Sequence, residues 1–227
     1  MSFDDPAATH DELGGIVTER SQRQRGLLHQ HALIATAGAG DVAKPFDRVH
    51  HGNASERVVA LAWPVVAGTV ALDIPLTTIG GESRPLEEWV TTFHLASVVL
   101  DPYTNESSWV LRTAARILDG FRGADVRVNL VLTCSADEAR DYLGPLASEF
   151  MVFCDPERQY VRGLGLATLP AFVFVRHDGT VQAAAEGWQP HEWRAVAKVI
   201  ADNTSWIAPV VPLAGDPSPF RGTPALG

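Results

Sequence analysis

Phe153-Cys-Asp-Pro-Glu-Arg-Gln-Tyr-Val-Arg-Gly-Leu-Gly-Leu-Ala-Thr-Leu-Pro170-Ala-Phe-Val-Phe-Val-Arg-His-Asp-Gly-Thr-Val181 is the stretch that decides the fold. It begins at the end of an apolar strand, Phe150–Phe153. Asp155-Pro156 follows as a helix N-cap with proline at the first helical position. Ala171–Val175 is a short run of β-branched and aromatic residues, as a buried strand requires. His177-Asp178-Gly179 is turn chemistry, so Thr180–Ala184 returns as the second arm of a hairpin. Gly163-Leu-Gly165 follows a helix rather than a strand, which excludes a dinucleotide fingerprint.

The same alternation extends towards the N-terminus. Val126–Thr133 and Ala96–Leu100 are compact apolar runs, expected of strands covered on both faces. Between them Val110, Leu111, Ala114, Ala115 and Leu118 have helical spacing within Ser107–Gly120. Ser135 with Glu138 three residues later forms a capping box for the next helix. Leu86–Phe93 suggests a short helix. Leu76–Ile79 and Ser83–Leu86 flank Gly80-Gly81-Glu82 and predict another hairpin. Beyond Val181, Pro190 opens a last helix to about Ala201, with Trp188 and Trp193 packing it on the sheet. The expected class is α/β, with a mostly parallel sheet and an antiparallel edge.

Residues 58–203 form this domain. Residues 1–57 are an N-terminal extension, with helical spacing over Asp11–Ala37 and a loop over Gly38–Asn53. Residues 204–227 carry five prolines without periodicity and are expected to be extended or disordered.

The chain has 227 residues, 46% hydrophobic and 20% charged, which allows a sizeable core. Lys+Arg total 18 against 27 Asp+Glu, a net charge of −9, which argues against a nucleic-acid partner. The apolar run Val58–Leu72 is broken by Pro64 and Gly68 and is too short for membrane insertion. The opening residues lack a secretory pattern, and the two cysteines make no disulfide framework, so a cytoplasmic protein is expected. His29, His31, His50 and His51 lack partners at zinc spacing, so no metal and no cofactor are expected.

In order and spacing, these pieces resemble the peroxiredoxin and TlpA-type thioredoxin-like superfamily, with AhpC-TSA-like members. Asp73–Glu88 is similar to its opening hairpin, Leu132–Asp137 to its strand end, and Phe153–Val181 to its closing half. The resemblance covers roughly 130 residues, from Asp73 to Asn203. It implies a thioredoxin-like fold with helices on both faces of the sheet. It also implies that Pro170 is a cis-proline, with Leu169 and Pro170 lining a groove that takes an extended partner.

Redox-active relatives carry Cys-x-x-Cys where the first long helix begins, and there a helix N-terminus lowers the thiol pKa. Counting by the resemblance, Asn105 and Ser108 hold the two cysteine positions. The loop Thr104, Asn105, Glu106, Ser107 and Ser108 contains no thiol. A peroxidatic cysteine is missing after Pro102 and Thr104 as well. Thr104, Asn105 and Ser107 are read as helix caps rather than nucleophiles, although His94 or His177 could approach a serine in space. Cys134 and Cys154 end neighbouring strands. They are either a redox pair, with helix dipoles lowering their pKa, or two small buried hydrophobes. Trp109 is expected in the core.

The leading expectation is a redox-inactive thioredoxin-like binding, chaperone or assembly protein with a protein partner. The alternative is an atypical thiol–disulfide oxidoreductase or antioxidant protein using Cys134 and Cys154. A serine hydrolase lacks its nucleophile elbow. The oligomeric state is left open.

Overall fold

The computed structural model describes residues 68–227. The readings for residues 1–57, including the four histidines, lie outside the described residues.

Strands buried on both faces set the architecture. β4 (His94–Leu100), β5 (Val126–Leu132) and β8 (Ala171–Val175) are apolar nearly throughout and occupy the middle of the sheet. Side chains alternate across a pleated strand. Ala96, Val98, Leu100, Phe172 and Phe174 therefore enter one core, while Leu95, Val99, Ala171, Val173 and Val175 enter the other. The first core is closed by α2 (Asn105–Asp119), α3 (Ala136–Leu143) and α6 (Pro190–Thr204), through residues such as Ile117, Leu143 and Trp193. The second is closed by α1 (Leu86–Trp89) and α5 (Gln159–Gly163), through Leu86, Trp89, Tyr160 and Val161. A further turn, α4 (Leu146–Glu149), leads into β6 (Met151–Cys154). Helices thus cover both faces, as expected.

The remaining strands are β1 (Gly68–Thr69), β2 (Pro75–Thr78), β3 (Ser83–Pro85), β7 (Thr168–Leu169), β9 (Thr180–Glu186) and β10 (Thr223–Pro224). The main sheet runs β1-β9-β8-β4-β5-β6-β2-β3, and β10 pairs with β7 apart from it. Parallel pairing is confined to β4–β5 and β5–β6. The other ladders are antiparallel, so the parallel share is smaller than the strand–helix alternation suggested. The excess comes from the two hairpins, which add antiparallel strands on either side of the parallel centre.

Local signals hold with small shifts. Ser135 accepts from the Glu138 N–H, and Glu138 reaches back to the Ser135 N–H at 3.0 Å, completing the capping box. Gly179 has φ +80° in the β8–β9 turn, where a side chain would strike the Val70 carbonyl. The Leu86–Phe93 helix is shorter than read and ends at Trp89.

Asp155 does not cap its helix by the simple route. A turn intervenes and α5 begins only at Gln159. The Asp155 carboxylate still reaches across, accepting from the Gln159 N–H at 2.7 Å and the Val161 N–H at 3.0 Å. Arg158 occupies the helix start in a left-handed conformation, φ +53°.

The largest departure concerns the residues after α6. They lie back across the domain rather than hanging free. Asp216 accepts from Thr113 Oγ1, from Arg116 Nη2 and from the Leu213 N–H at 2.7–2.8 Å. Arg194 Nε donates to the Val211 carbonyl, and Trp188 Nε1 to the Pro217 carbonyl.

Replacing Ser135 with Ala should lower stability by about 1 kcal/mol, because one orphan N–H of α3 loses its acceptor. Denaturant titration should show an earlier midpoint with an unchanged slope.

Candidate functional site

The site lies where several chain ends converge. β4 runs to Leu100, and the loop to α2 leaves from there. β8 pairs antiparallel with β4, with Ala171 opposite Val99, so Pro170 sits at the same edge as that loop. The Leu169–Pro170 peptide bond is cis. Both residues are buried.

The loop bonds to itself. The Asp101 N–H donates to Ser107 Oγ at 2.9 Å, and Thr104 Oγ1 donates to the Asp101 carbonyl at 2.9 Å. Asp101 Oδ1 accepts from the Tyr103 N–H. Thr104 is the N-cap residue of α2 but makes no side-chain cap bond, which corrects the reading of Thr104, Asn105 and Ser107 as caps. The physical reason is that Asp101 turns the chain sharply at the strand end, and the two hydroxyls close that turn instead. Asn105 and Ser108 are exposed, Glu106 is half-buried and Ser107 is buried. Among the described residues, no imidazole bonds to these serines. His94 starts β4, at the far end of the strand from the loop, where it stacks on His177.

The strand Thr168–Leu169 is held on two sides. Glu186 Oε2 accepts from the Ala167 and Thr168 N–H groups at 2.9 and 2.5 Å. On the other side β10 pairs antiparallel, with Thr223 opposite Leu169 and Pro224 opposite Thr168. The ladder continues through Ala225, whose N–H donates to the Ala167 carbonyl at 2.8 Å. Phe220 exchanges both backbone bonds with Trp188 at 2.9 Å. The backbone beside Pro170 therefore pairs with the chain's own segment, residues 220–225.

Arg158 joins the parts. Its Nη2 donates to Asp101 Oδ2 at 2.8 Å and its Nη1 to the Ala225 carbonyl at 2.6 Å. Both charged side chains are largely buried, at 17% and 7% exposure. Trp109 lies next to Phe220, edge to face, with ring centroids 5.6 Å apart. It is 56% exposed, against the expectation of a core residue. Its helix turns that position away from the sheet, while Val110, one residue on, faces inward.

Cys134 and Cys154 are free and buried. Cys154 ends β6, opposite Leu132 of β5, and Cys134 lies two residues beyond Leu132. Burial pushes the Cys134 thiol up to about 12, with a smaller push from Cys154. Burial raises Cys154 as well. Both shifts run upward because a thiolate is costly to desolvate.

Sequence reasoning missed Arg158, Glu186 and the Phe220–Ala225 segment. Arg158 lay inside the quoted stretch, but its partners are remote in sequence: Asp101 by 57 residues and Ala225 by 67. Among the described residues, no cluster of His, Cys, Asp or Glu could hold a metal, and no helix is long and apolar enough to cross a membrane.

No protein-family model matches the sequence, and no curated protein matches it. Solved structures do. Peroxiredoxin Q of Xanthomonas campestris is 15% identical, with a TM-score of 0.50, over 62% of this chain and 97% of that one. A thiol:disulfide interchange protein DsbE of Chlorobium tepidum is 19% identical, with a TM-score of 0.47, over 61% and 97%. DsbF of Mycobacterium tuberculosis is 16% identical, with a TM-score of 0.45, over 53% and 90%. The chain has the thioredoxin-like fold.

Two predictions follow from these environments. Burial holds both thiols protonated at pH 7 and out of reach of solvent. Both cysteines should therefore resist Ellman's reagent in native protein and react within minutes in urea.

The second concerns Asp216. Its burial raises the carboxyl pKa, but the Leu213, Thr113 and Arg116 donors outweigh that and hold it below the ordinary value. A depressed folded pKa stabilises above the unfolded pKa, and that contribution is lost as pH falls through the folded one. Asp216→Asn should cost about 1–2 kcal/mol at pH 7. Its melting temperature should start to approach the wild-type value only below about pH 4, and meet it below the depressed folded pKa.

Proposed function

We propose that this protein is a redox-inactive thioredoxin-like module that binds an extended protein segment, acting as a chaperone or assembly factor. One observation carries the reading: the groove beside Pro170 already pairs a strand, Thr223–Pro224, through backbone hydrogen bonds. Strand addition derives affinity from main-chain bonds and selectivity from the pockets for alternate side chains. The adjoining loop supports the same reading. Thr104, Asn105, Glu106, Ser107 and Ser108 offer no sulfur, and the Thr104 and Ser107 hydroxyls are engaged within the loop. In this reading Leu169 and Pro170 form the binding edge, and Asn105 and Ser108 fill the two cysteine positions of redox-active relatives. Residues 1–57 and 204–227 flank the binding domain. The setting is cytoplasmic, where thiols stay reduced.

A second reading rests on a different observation. Cys154 ends β6 and Cys134 lies just past the end of the adjacent parallel strand β5, near enough for Cys154 to push the Cys134 thiol up. A thiol oxidoreductase or antioxidant protein would use them as its pair. The raised thiol pKa values weigh against it, because the thiolate is the reactive form.

Insulin reduction and peroxide turnover separate the two. The expected result is no turnover above background for the wild type and for the Cys134→Ser/Cys154→Ser variant alike. Turnover by the wild type that disappears in the variant would establish the second reading and remove the first.

A further inference from the structure

We propose that Phe220–Ala225 is a tethered ligand that shows what the groove selects: an extended peptide reading aromatic, any residue, glycine, threonine, proline, alanine. This rests on the strand-binding reading above and names its partner chemistry and its regulation. A partner's peptide of this pattern enters only when the resident segment leaves.

Each position has a physical reason. The aromatic ring of Phe220 packs against Trp109, and its backbone exchanges both bonds with Trp188. Arg221 has an exposed side chain, so its identity is free. Gly222 has φ +84°, and a Cβ there would run into the Leu169 carbonyl, so only glycine fits the approach. Thr223 and Pro224 form the ladder with Leu169 and Thr168. Proline is tolerated because the pairing is at an edge. Ala225 is 1% exposed in a small pocket, its N–H bonded to Ala167 and its carbonyl bonded by Arg158. Arg158 thus reads the bound segment's backbone while its other nitrogen stays on Asp101.

The segment is tethered independently of the groove. Asp216, Val211 and Pro217 are held by Arg116, Thr113, Arg194 and Trp188. A short tether gives an effective concentration on the order of millimolar, so a free peptide of equal intrinsic affinity competes poorly.

The test uses full-length protein and a fluorescein-labelled peptide, Phe-Arg-Gly-Thr-Pro-Ala, with Phe-Arg-Val-Thr-Pro-Ala as control. Gly222→Val should eject the resident segment, seen as faster hydrogen exchange at the Ala225 amide. Fluorescence anisotropy should then show the glycine peptide binding at least tenfold more tightly to Gly222→Val than to wild type. The valine peptide should bind neither protein. Adding Arg158→Ala to the Gly222→Val variant should weaken binding at least fivefold.

Ala225→Glu places a charge in the small pocket and gives release by a second route, should Gly222→Val fold poorly or keep its segment. The same tightening is expected with it. A variant whose backbone amide at position 225 exchanges fast, yet which binds no glycine peptide, overturns the proposal. So does wild type binding as tightly as the released variants. Insulin and peroxide assays on the released variants keep the two ideas apart. Turnover would overturn the redox-inactive reading, whereas absent peptide binding without turnover overturns only this inference.

Discussion

A buried backbone group must find a hydrogen-bond partner, and at Leu169 that requirement organises the surrounding structure. Leu169 is fully buried, and the chain there leaves the main sheet's ladders just before β8. Its neighbours Ala167 and Thr168 turn their N–H groups to the Glu186 carboxylate. The other side of the strand needs a second partner, and β10 supplies it. Without such a partner, each orphaned group would cost about 1–3 kcal/mol. The return of residues 205–227 across the domain is the structural answer to an unfilled edge.

The Arg158–Asp101 pair is best understood as a device for geometry. Both charges are largely buried, and the desolvation cost of a buried ion pair roughly cancels its Coulomb gain. What remains is direction. A guanidinium is a rigid fork, so fixing one nitrogen on Asp101 fixes where the other points. It points at the Ala225 carbonyl. Asp101 is in turn held by its own turn: its backbone N–H is bonded to Ser107 and one carboxylate oxygen accepts from Tyr103. The turn at Asp101 therefore positions a cation against the paired strand.

The fold was legible where local chemistry and burial agree. Apolar runs such as Ala96–Leu100 and Ala171–Val175 can only be strands with both faces covered, and the Ser135–Glu138 box marks a helix start from side-chain chemistry alone. Legibility failed where contacts are remote in sequence. The prolines of 204–227 forbid a helix, but they do not forbid an edge strand, and nothing local reveals that Thr223 will meet Leu169. Trp109 was read by its apolar character, whereas the phase of α2 decides its exposure. For the thiols, the sequence leaves a redox pair and two buried hydrophobes open, because burial depends on tertiary packing. At the candidate site, Pro170 and the loop 104–108 stand out locally, as a proline before an apolar strand and a polar run opening a helix. The Arg158 fork does not, because both of its partners are remote in sequence.

The two kinds of chemistry that this sheet edge could serve make different physical demands. In this fold one sheet edge gathers a helix start, a strand end and the residue before a proline. Sulfur chemistry needs an accessible thiolate at that helix start, and here both thiols lie elsewhere, desolvated at strand ends. Strand binding needs only an unpaired edge, a fixed donor and room for a small side chain. Here Thr223–Pro224 fills the edge at Thr168–Leu169, Arg158 donates to the Ala225 carbonyl, and Ala225 is buried. The two requirements rest on different groups, so they are separable within one fold. A chain that also carries its own strand gains protection of an exposed edge, which would otherwise invite pairing between copies.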